Sequence, residues 1–477
     1  MSRVEVHPTL GRVVIATRSF GLGDVVLAEQ PLIVFPSLVH QADQIAFLRA
    51  FADATPDAQA AILDVHHPPL DDDSNWRVPA RRSEAAALKG FCAMSAGRIH
   101  KLLLISDTNA HGYTGHSVEF GEVVGPFRGP GRAALFDLGS KVAHSCRPNV
   151  LYDSKTAHGG LEYRACRPIA EGEMLTYSYI GDLWCSTIAE RRAELLTTKA
   201  FVCMCPRCVQ PDPARAVRCP NNKCASFALA SDSEPRHGDA STKCSWRCEE
   251  CGPVKQRDLE PALQTERNLS RTLESLSKQG QQGGLNGIPP SRFVDIAESA
   301  AKALSPAHRL VARAYEAAAT FCASHAAAVW QAKLYGMRSE PHGSETSLRV
   351  EAAKFNRISV KVVECLAAGC HGGVHCPETH PTVHECANEV FFIGQDLREV
   401  PAKQRDSEVL ALVARYVPDM EAMYGKTDSD VLNVVRMLAE TAPPVLLAQE
   451  TEVHIYIYIY IYIYIYKIGR ASCRERV

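Results

Sequence analysis

Two kinds of hydrophobic pattern alternate along the chain. From residue 4 to 35, β-branched runs bounded by glycine and proline ("RVVIATRSF", the turn "GLGD", "VVLAEQPLIVF") predict short strands. Between 41 and 105, alanine, leucine and polar residues recur at helical spacing, broken by "HHPPLDDDSN", which predicts an exposed loop. Strand patterns return from Phe120 to Tyr179, clearest in "LEYRACRPI" and "EMLTYSYI". Residues 203 to 251 are cysteine-rich and otherwise read as loop. From about Leu259 to Glu440 the period is helical, as in "AHRLVARAYEAAATFCASHAAAVWQAKLY". That half predicts a bundle or solenoid of antiparallel helices with no strict repeat. The fold class expected is α+β.

The end of the chain follows another rule. Ile455 to Tyr466 is an unbroken Ile-Tyr alternation, followed by "KIGRASCRERV". As protein it is a two-faced, strongly apolar β segment and an aggregation hazard. An alternating A/T dinucleotide repeat encodes the same run, and the last residues resemble a translated sequencing adapter. The low-complexity tail, 446–477, is therefore read as an artefact, and Cys473 is no ligand.

The 477 residues have room for several domains. Lys and Arg total 52 against 54 Asp and Glu, a net charge of −2, so no global basic field points to nucleic acid. The first twenty residues lack the apolar core of a signal peptide, and no run of about 18 apolar residues suggests a membrane span. A reducing compartment, nucleus or cytoplasm, is expected. There, eighteen cysteines point to metal ligands before disulfides.

Cys203, Cys205 and Cys208 in "CMCPRC" form a C-x-C-x2-C run. Three thiols this close suit a tetrahedral zinc, which needs a fourth ligand. Spacing alone leaves Cys146, Cys166, Cys185 and Cys219 open for that place. Cys248 and Cys251, followed by Gly252, form a zinc knuckle whose glycine permits the turn that aims both sulfurs at one ion. With Cys219 and Cys224 of "CPNNKC" they predict a second four-cysteine site, Cys244 being a substitute ligand. The run "CLAAGCHGGVHCPETHPTVHEC" (Cys365 to Cys386) has no standard spacing and reads as a polar interhelical loop. Lone histidines such as His111 and His325 read as capping or packing groups.

In chain order, "AHSCRPN" (Ala143 to Asn149), "GEMLTYSY" (Gly172 to Tyr179) and "CMCPRC" (Cys203 to Cys208) resemble the motifs of SET-domain protein lysine methyltransferases of the SMYD-like branch. "GRVVIATRSFGLGDVVLAEQPLIVF" is similar to the family's opening segment. "LLLISDTNAHGY" resembles its cofactor-contacting insert, and "TIAERRAELLTTKAFVC" its helix before the post-SET zinc. "YGKTDSDVLNVVRMLAE" is similar to its tetratricopeptide-like region. The likeness is specific over about 95 to 251. The family's MYND finger has no cysteine counterpart between Pro36 and Phe91.

The resemblance implies a β-rich SET core begun by residues 1–40, interrupted by a helical insert at 41–119 and completed by 120–185. A post-SET and zinc-ribbon segment at 186–255 and a TPR-like helical domain at 256–445 would follow. It implies S-adenosylmethionine as cofactor, two structural zinc ions, and a lysine of a histone or other protein as substrate, with further protein partners for the helical domain. No sequence-specific nucleic acid and no membrane are implied. Tyr179 takes the place of the catalytic tyrosine. Strand alternation puts Tyr177 on its face, two tyrosines that suit a narrow channel for an alkylammonium. Gly11, Arg12, Asn109, Ala143, His144 and Phe201 fall at cofactor-binding positions, and Cys146 becomes the fourth ligand of Cys203, Cys205 and Cys208. The chain departs from the family at Ala143, where asparagine is usual, and at Val13, where a second glycine is usual. Weakened cofactor binding is expected, with a poorly active scaffold as the alternative.

Overall fold

The computed structural model describes residues 2–113, 132–153, 159–180, 186–232, 244–282, 288–334, 345–371 and 407–424. The tail at 446–477, Cys185 and most of the His- and Cys-rich run ending at Cys386 lie outside them.

The β-branched start folds as strands β1 (Ser2–His7), β2 (Gly11–Ala16), β3 (Val25–Glu29) and β4 (Ile33–Pro36). The β1–β2 hairpin turns at Gly11, whose φ of +73° favours a residue without a Cβ. Four helices follow: α1 (Gln41–Asp53), α2 (Pro56–Asp64), α3 (Arg77–Leu88) and α4 (Ala96–Asn109). Thr55 and Ser95 cap α2 and α4 through their side chains. The apolar faces of these helices bury Phe47, Phe51, Ile62, Leu88, Ile99 and Leu103 against Ile33, Phe35 and Leu135.

The chain then returns to strands: β5 (His111–Tyr113), β6 (Arg132–Leu135), β7 (Ala143–His144), β8 (Val150–Asp153), β9 (Leu161–Ala165) and β10 (Thr176–Tyr177). They form three small sheets, ordered β3-β9-β8, β4-β6-β5 and β10-β7. The strand expected over "EMLTYSYI" is reduced to two residues, because its hydrogen bonds are divided. Leu175 donates to Val14 of β2 and Met174 bridges Ile15, while Thr176 and Tyr177 pair with β7. The turn into β7 is fixed by Glu29, whose carboxylate accepts the backbone N–H groups of Asp137, Leu138 and Gly139. Gly139 allows the close approach there: a Cβ on it would stand 2.8 Å from Leu161 Cδ2.

Helix α5 (Ile188–Lys199) opens with a capping box between Thr187 and Glu190 and closes on Ala200, at φ 60°. The short α6 (Pro206–Val209) follows. The cysteine-rich segment is more ordered than its loop-like sequence suggests. Strands β11 (Asp212–Arg218), β12 (Phe227–Asp232), β13 (Cys244–Cys248) and β14 (Gly252–Val254) form an antiparallel sheet. Its inward positions include Ala214, Ala216, Ala228 and Ala230, residues too small to give a strand signal.

Helices α7 (Gln256–Gln282), α8 (Ser291–Ala303), α9 (Arg309–Leu334), α10 (Glu345–His371) and α11 (Ser407–Tyr424) make up the described remainder. The first of these share a core with the ribbon, where Val217 and Trp246 meet Leu263, Phe293 and Leu310. A buried polar joint lies beside it. Arg215 donates to both carboxylate oxygens of Glu266, and His308 Nε2 stands 3.4 Å from that carboxylate. Burial pushes the Glu266 carboxyl up, but the close His308 ring and the hydrogen bonds from Arg215 outweigh it and hold the group at about 2.

Candidate functional site

Residues 142–149 lie alongside residues 174–179. Parallel pairing of β7 with β10 sets Ala143 against Thr176 and His144 against Tyr177. Asn149, buried, locks the crossing. Its Oδ1 accepts the Thr176 N–H at 2.7 Å, and its Nδ2 donates to Glu173 Oε1 and to the Met174 carbonyl, both at 2.8 Å. The two halves of the site are thereby fixed by strand pairing and by the Asn149 side chain.

An aromatic cluster stands at this crossing. The ring centroids of Tyr177 and Tyr179 are 4.7 Å apart, and Tyr163 and Tyr152 lie 5.3 and 5.8 Å from Tyr177. The Tyr179 hydroxyl donates to the Val142 carbonyl at 2.7 Å. His111 meets the Tyr177 hydroxyl at 3.0 Å and the Tyr163 hydroxyl at 3.1 Å through Nε2, while its Nδ1 lies 2.9 Å from the Asn109 carbonyl. A carbonyl only accepts, so Nδ1 carries the proton and Nε2 accepts from a tyrosine. Burial holds His111 down at about 4, neutral at physiological pH. Burial also raises the tyrosine hydroxyls, with neighbouring tyrosines adding to the effect at Tyr177 and Tyr163. These phenols are oriented dipoles, not bases, at neutral pH.

His111 is thus packed, as its sequence context suggests, and it also organises the tyrosines, a role no motif announced. Its one sequence signal is its position two residues after Asn109. The Asn109 side chain itself faces inward, with Nδ2 donating to the His66 and Ile105 carbonyls at 2.7 and 2.9 Å. Beside it, half-buried Lys199 donates to the Thr108 carbonyl at 3.1 Å and sits 5.7 Å over the Tyr179 ring.

Phe201, His144 and Tyr179 meet as a second aromatic group. The Phe201 centroid is 5.9 Å from His144 and 6.4 Å from Tyr179. Ala143, half-buried, brings no polar side chain to this place. Gly11 and Arg12 lie on the β1–β2 hairpin. The Arg12 guanidinium is taken up by the carboxylate and backbone carbonyl of Asp64. Val13 points into the core, only 1% exposed. The hairpin reaches the site through backbone: Ala16 N–H donates to the Glu173 carbonyl at 2.9 Å.

Two groups of four cysteines come together: Cys146, Cys203, Cys205 and Cys208, and Cys219, Cys224, Cys248 and Cys251. Within each, the sulfurs all lie within 4.8 Å of one another. A tetrahedral zinc with bonds of about 2.3 Å requires sulfurs about 3.8 Å apart. Cys146 stands 3.6 Å from Cys208 and 4.0 Å from Cys203, and Cys224 stands 3.7 Å from Cys248. Both sets therefore fit a tetrathiolate ion. Of the alternatives open for the first set, Cys166 turns its sulfur to the Pro148 carbonyl and Cys219 joins the second set. In that second set Gly252, at φ +77°, completes the turn after Cys251.

Residues 11–180 match the SET domain family model. Histone-lysine N-methyltransferase SET5 of Saccharomyces cerevisiae (strain YJM789) is 28% identical over 147 residues, 30% of this chain and 27% of that protein. SET domain-containing protein SmydA-8, isoform B, of Drosophila melanogaster is 30% identical over 125 residues, 25% of this chain and 26% of that protein. Histone-lysine N-methyltransferase SET5 of Meyerozyma guilliermondii is 37% identical over 78 residues, 16% of each. The matches thus span at most 27% of these relatives' own length. The match to the SET domain model takes in the crossing at Asn149 and the tyrosine cluster, with the four-cysteine group beside it, and over residues 11–180 the chain is similar to SET-domain proteins.

Proposed function

We propose that the chain is an S-adenosylmethionine-dependent protein lysine N-methyltransferase, with a histone or another protein as substrate. The observation that supports this reading best is one continuous aromatic group. Tyr177, Tyr179, His144 and Phe201 meet beside Cys146, on a segment pinned by Asn149. The relatives' names, histone-lysine N-methyltransferase, point the same way.

Methyl transfer to an amine is an in-line displacement that needs alignment and desolvation. S-adenosylmethionine would supply the methyl group. Phe201 would offer its ring to the adenine, and the backbone at Ala143 and His144 and the Gly11–Arg12 turn would hold the remainder; Asn109, whose Nδ2 is taken by the His66 and Ile105 carbonyls, would contribute through its remaining atoms. The donors present fit this cofactor in part, since Ala143 has neither donor nor acceptor in its side chain. Tyr179 spends its proton on the Val142 carbonyl. Its oxygen is then left to accept an N–H of the incoming lysine amine, and Tyr177, with its proton directed at His111, can act likewise. The partly buried rings limit water and suit the alkylammonium of a lysine.

Zinc in the two cysteine groups is read as structural. The helical half is read as TPR-like and as a surface for protein partners, in the nucleus, the cytoplasm or both. A second reading, a weak or inactive SET scaffold, is favoured by Ala143 and Val13. Radiolabelled methyl transfer to mixed histones and cell extract, with cofactor binding by calorimetry, separates the two. Tight cofactor binding without transfer to any protein would sink the enzyme reading.

A further inference from the structure

The four sulfurs of the first cysteine group each face an N–H. The backbone N–H of Cys205 points to Cys203 at 3.5 Å, and that of Cys146 to Cys205 at 3.3 Å. His144 Nε2 lies 3.3 Å from Cys146, and Arg191 Nη2 donates to Cys208 at 3.7 Å. A divalent ion held by four thiolates carries a net double negative charge, and buried charge is costly unless it is met by donors. Of the four donors only Arg191 brings a formal positive charge.

Arg191 is placed for this task. It projects from α5, is 0% exposed, and is always charged. A guanidinium is almost never buried this completely without anionic company. Its Nη1 donates to the Ser186 carbonyl. Asp212, at the start of β11, lies 3.6 Å from the same nitrogen, beyond good hydrogen-bonding reach. Asp212 is otherwise engaged, accepting the Ile188 N–H at 3.0 Å and the Ala214 N–H at 3.2 Å. The fork is therefore held between a carboxylate on one side and the Cys208 sulfur on the other.

We infer that Arg191 is a positioning residue of the first metal site, a charged outer-sphere donor that lets Cys208 bind metal as a thiolate. This rests on the reading of Cys146, Cys203, Cys205 and Cys208 as metal ligands, and goes beyond it by assigning the group that stabilises the loaded state. Such outer-sphere partners typically carry about 10- to 100-fold of metal affinity.

The test uses the full chain bearing Cys248→Ser, so that the first group is the intact four-cysteine site. Zinc affinity is measured by chelator competition, and cobalt(II) is substituted to read the sulfur-to-metal charge-transfer band. Arg191→Met should weaken zinc roughly 10- to 100-fold and move that band to lower energy, because a thiolate without its donor gives up charge more easily. Arg191→Lys should recover part of both. If Arg191→Met fails to fold, the lysine variant alone is compared with the parent, and a shift in affinity and band is expected from its different donor geometry. A folded variant with parental affinity and an unmoved band overturns the inference. Failure of the parent itself to bind metal overturns the ligand reading instead, so the two failures are distinct.

Discussion

The Nδ1 of His144 accepts the backbone N–H of Tyr179 at 3.0 Å, while its Nε2 faces the Cys146 sulfur at 3.3 Å. With Nδ1 as acceptor, the neutral ring carries its proton on Nε2 and donates it to the sulfur. One imidazole therefore ties the candidate catalytic tyrosine to the cysteine group, and the order of one depends on the order of the other. Burial keeps the ring neutral, down at about 4, which this arrangement requires.

Tyr179→Phe should leave the fold intact, because its ring contacts persist and only the bond to the Val142 carbonyl is lost. Methyl transfer should fall by a factor of about 10² or more, the usual contribution of one hydroxyl in a dry, preorganised site. Steady-state rates with radiolabelled cofactor decide it; unchanged turnover would refute the role of Tyr179.

Ala143→Asn should tighten cofactor binding. A hydrogen bond to a charged ligand contributes about 1.5–3 kcal/mol, roughly ten- to a hundredfold in affinity. Calorimetry and transfer rates measured side by side should both improve. A parent that already binds tightly, with no gain on reversion, would show that the missing contact is supplied elsewhere.

Elemental analysis should find two zinc ions per chain, one for each cysteine group. Cys205→Ser should lose one of them and destabilise the segment around it, which has little apolar core of its own. Cys322→Ser, buried between helices and outside both groups, should lose none. A metal-free parent contradicts this.

Stability should depend on pH through His111. An ordinary histidine titrates near 6.5, whereas burial holds this one at about 4. Between those values the unfolded chain binds a proton that the folded chain does not. Stability from this group is therefore complete above the upper value and is lost as pH falls toward the lower one, by at most about 3 kcal/mol. Denaturant unfolding of the parent and of His111→Phe across this window should show the smaller loss in the variant. Equal losses would mean that His111 is not the group responsible.

Local spacing made much of this legible. The β-branched start, the helical insert and the C-x-C-x2-C and C-x2-C runs are written within a few residues of one another, and short-range chemistry reads them directly. The motif resemblance pointed to Tyr179 and to Cys146. Spacing alone left four candidates for the fourth ligand, because the choice depends on a contact spanning 57 residues between Cys146 and Cys203. The two segments are joined there by the Cys146 N–H on the Cys205 sulfur and by Arg207 donating to the Cys146 carbonyl, and neither bond has a local signature. The cysteine pairing pointed to a small ribbon at 186–255, but its strands β11–β14 were hidden for a different reason. Its inward positions include Ala214, Ala216, Ala228 and Ala230, which bury well in a sheet but give no strand preference in sequence. His111 and Arg191 stayed invisible because a histidine or an arginine acquires its role only from what surrounds it. For His111 the fold supplies two tyrosine hydroxyls in the dry core, and for Arg191 a cysteine sulfur and a carboxylate. The sequence determined which chemistry was present, and the tertiary structure decided which groups meet, because desolvation and long-range pairing exist only in the folded chain.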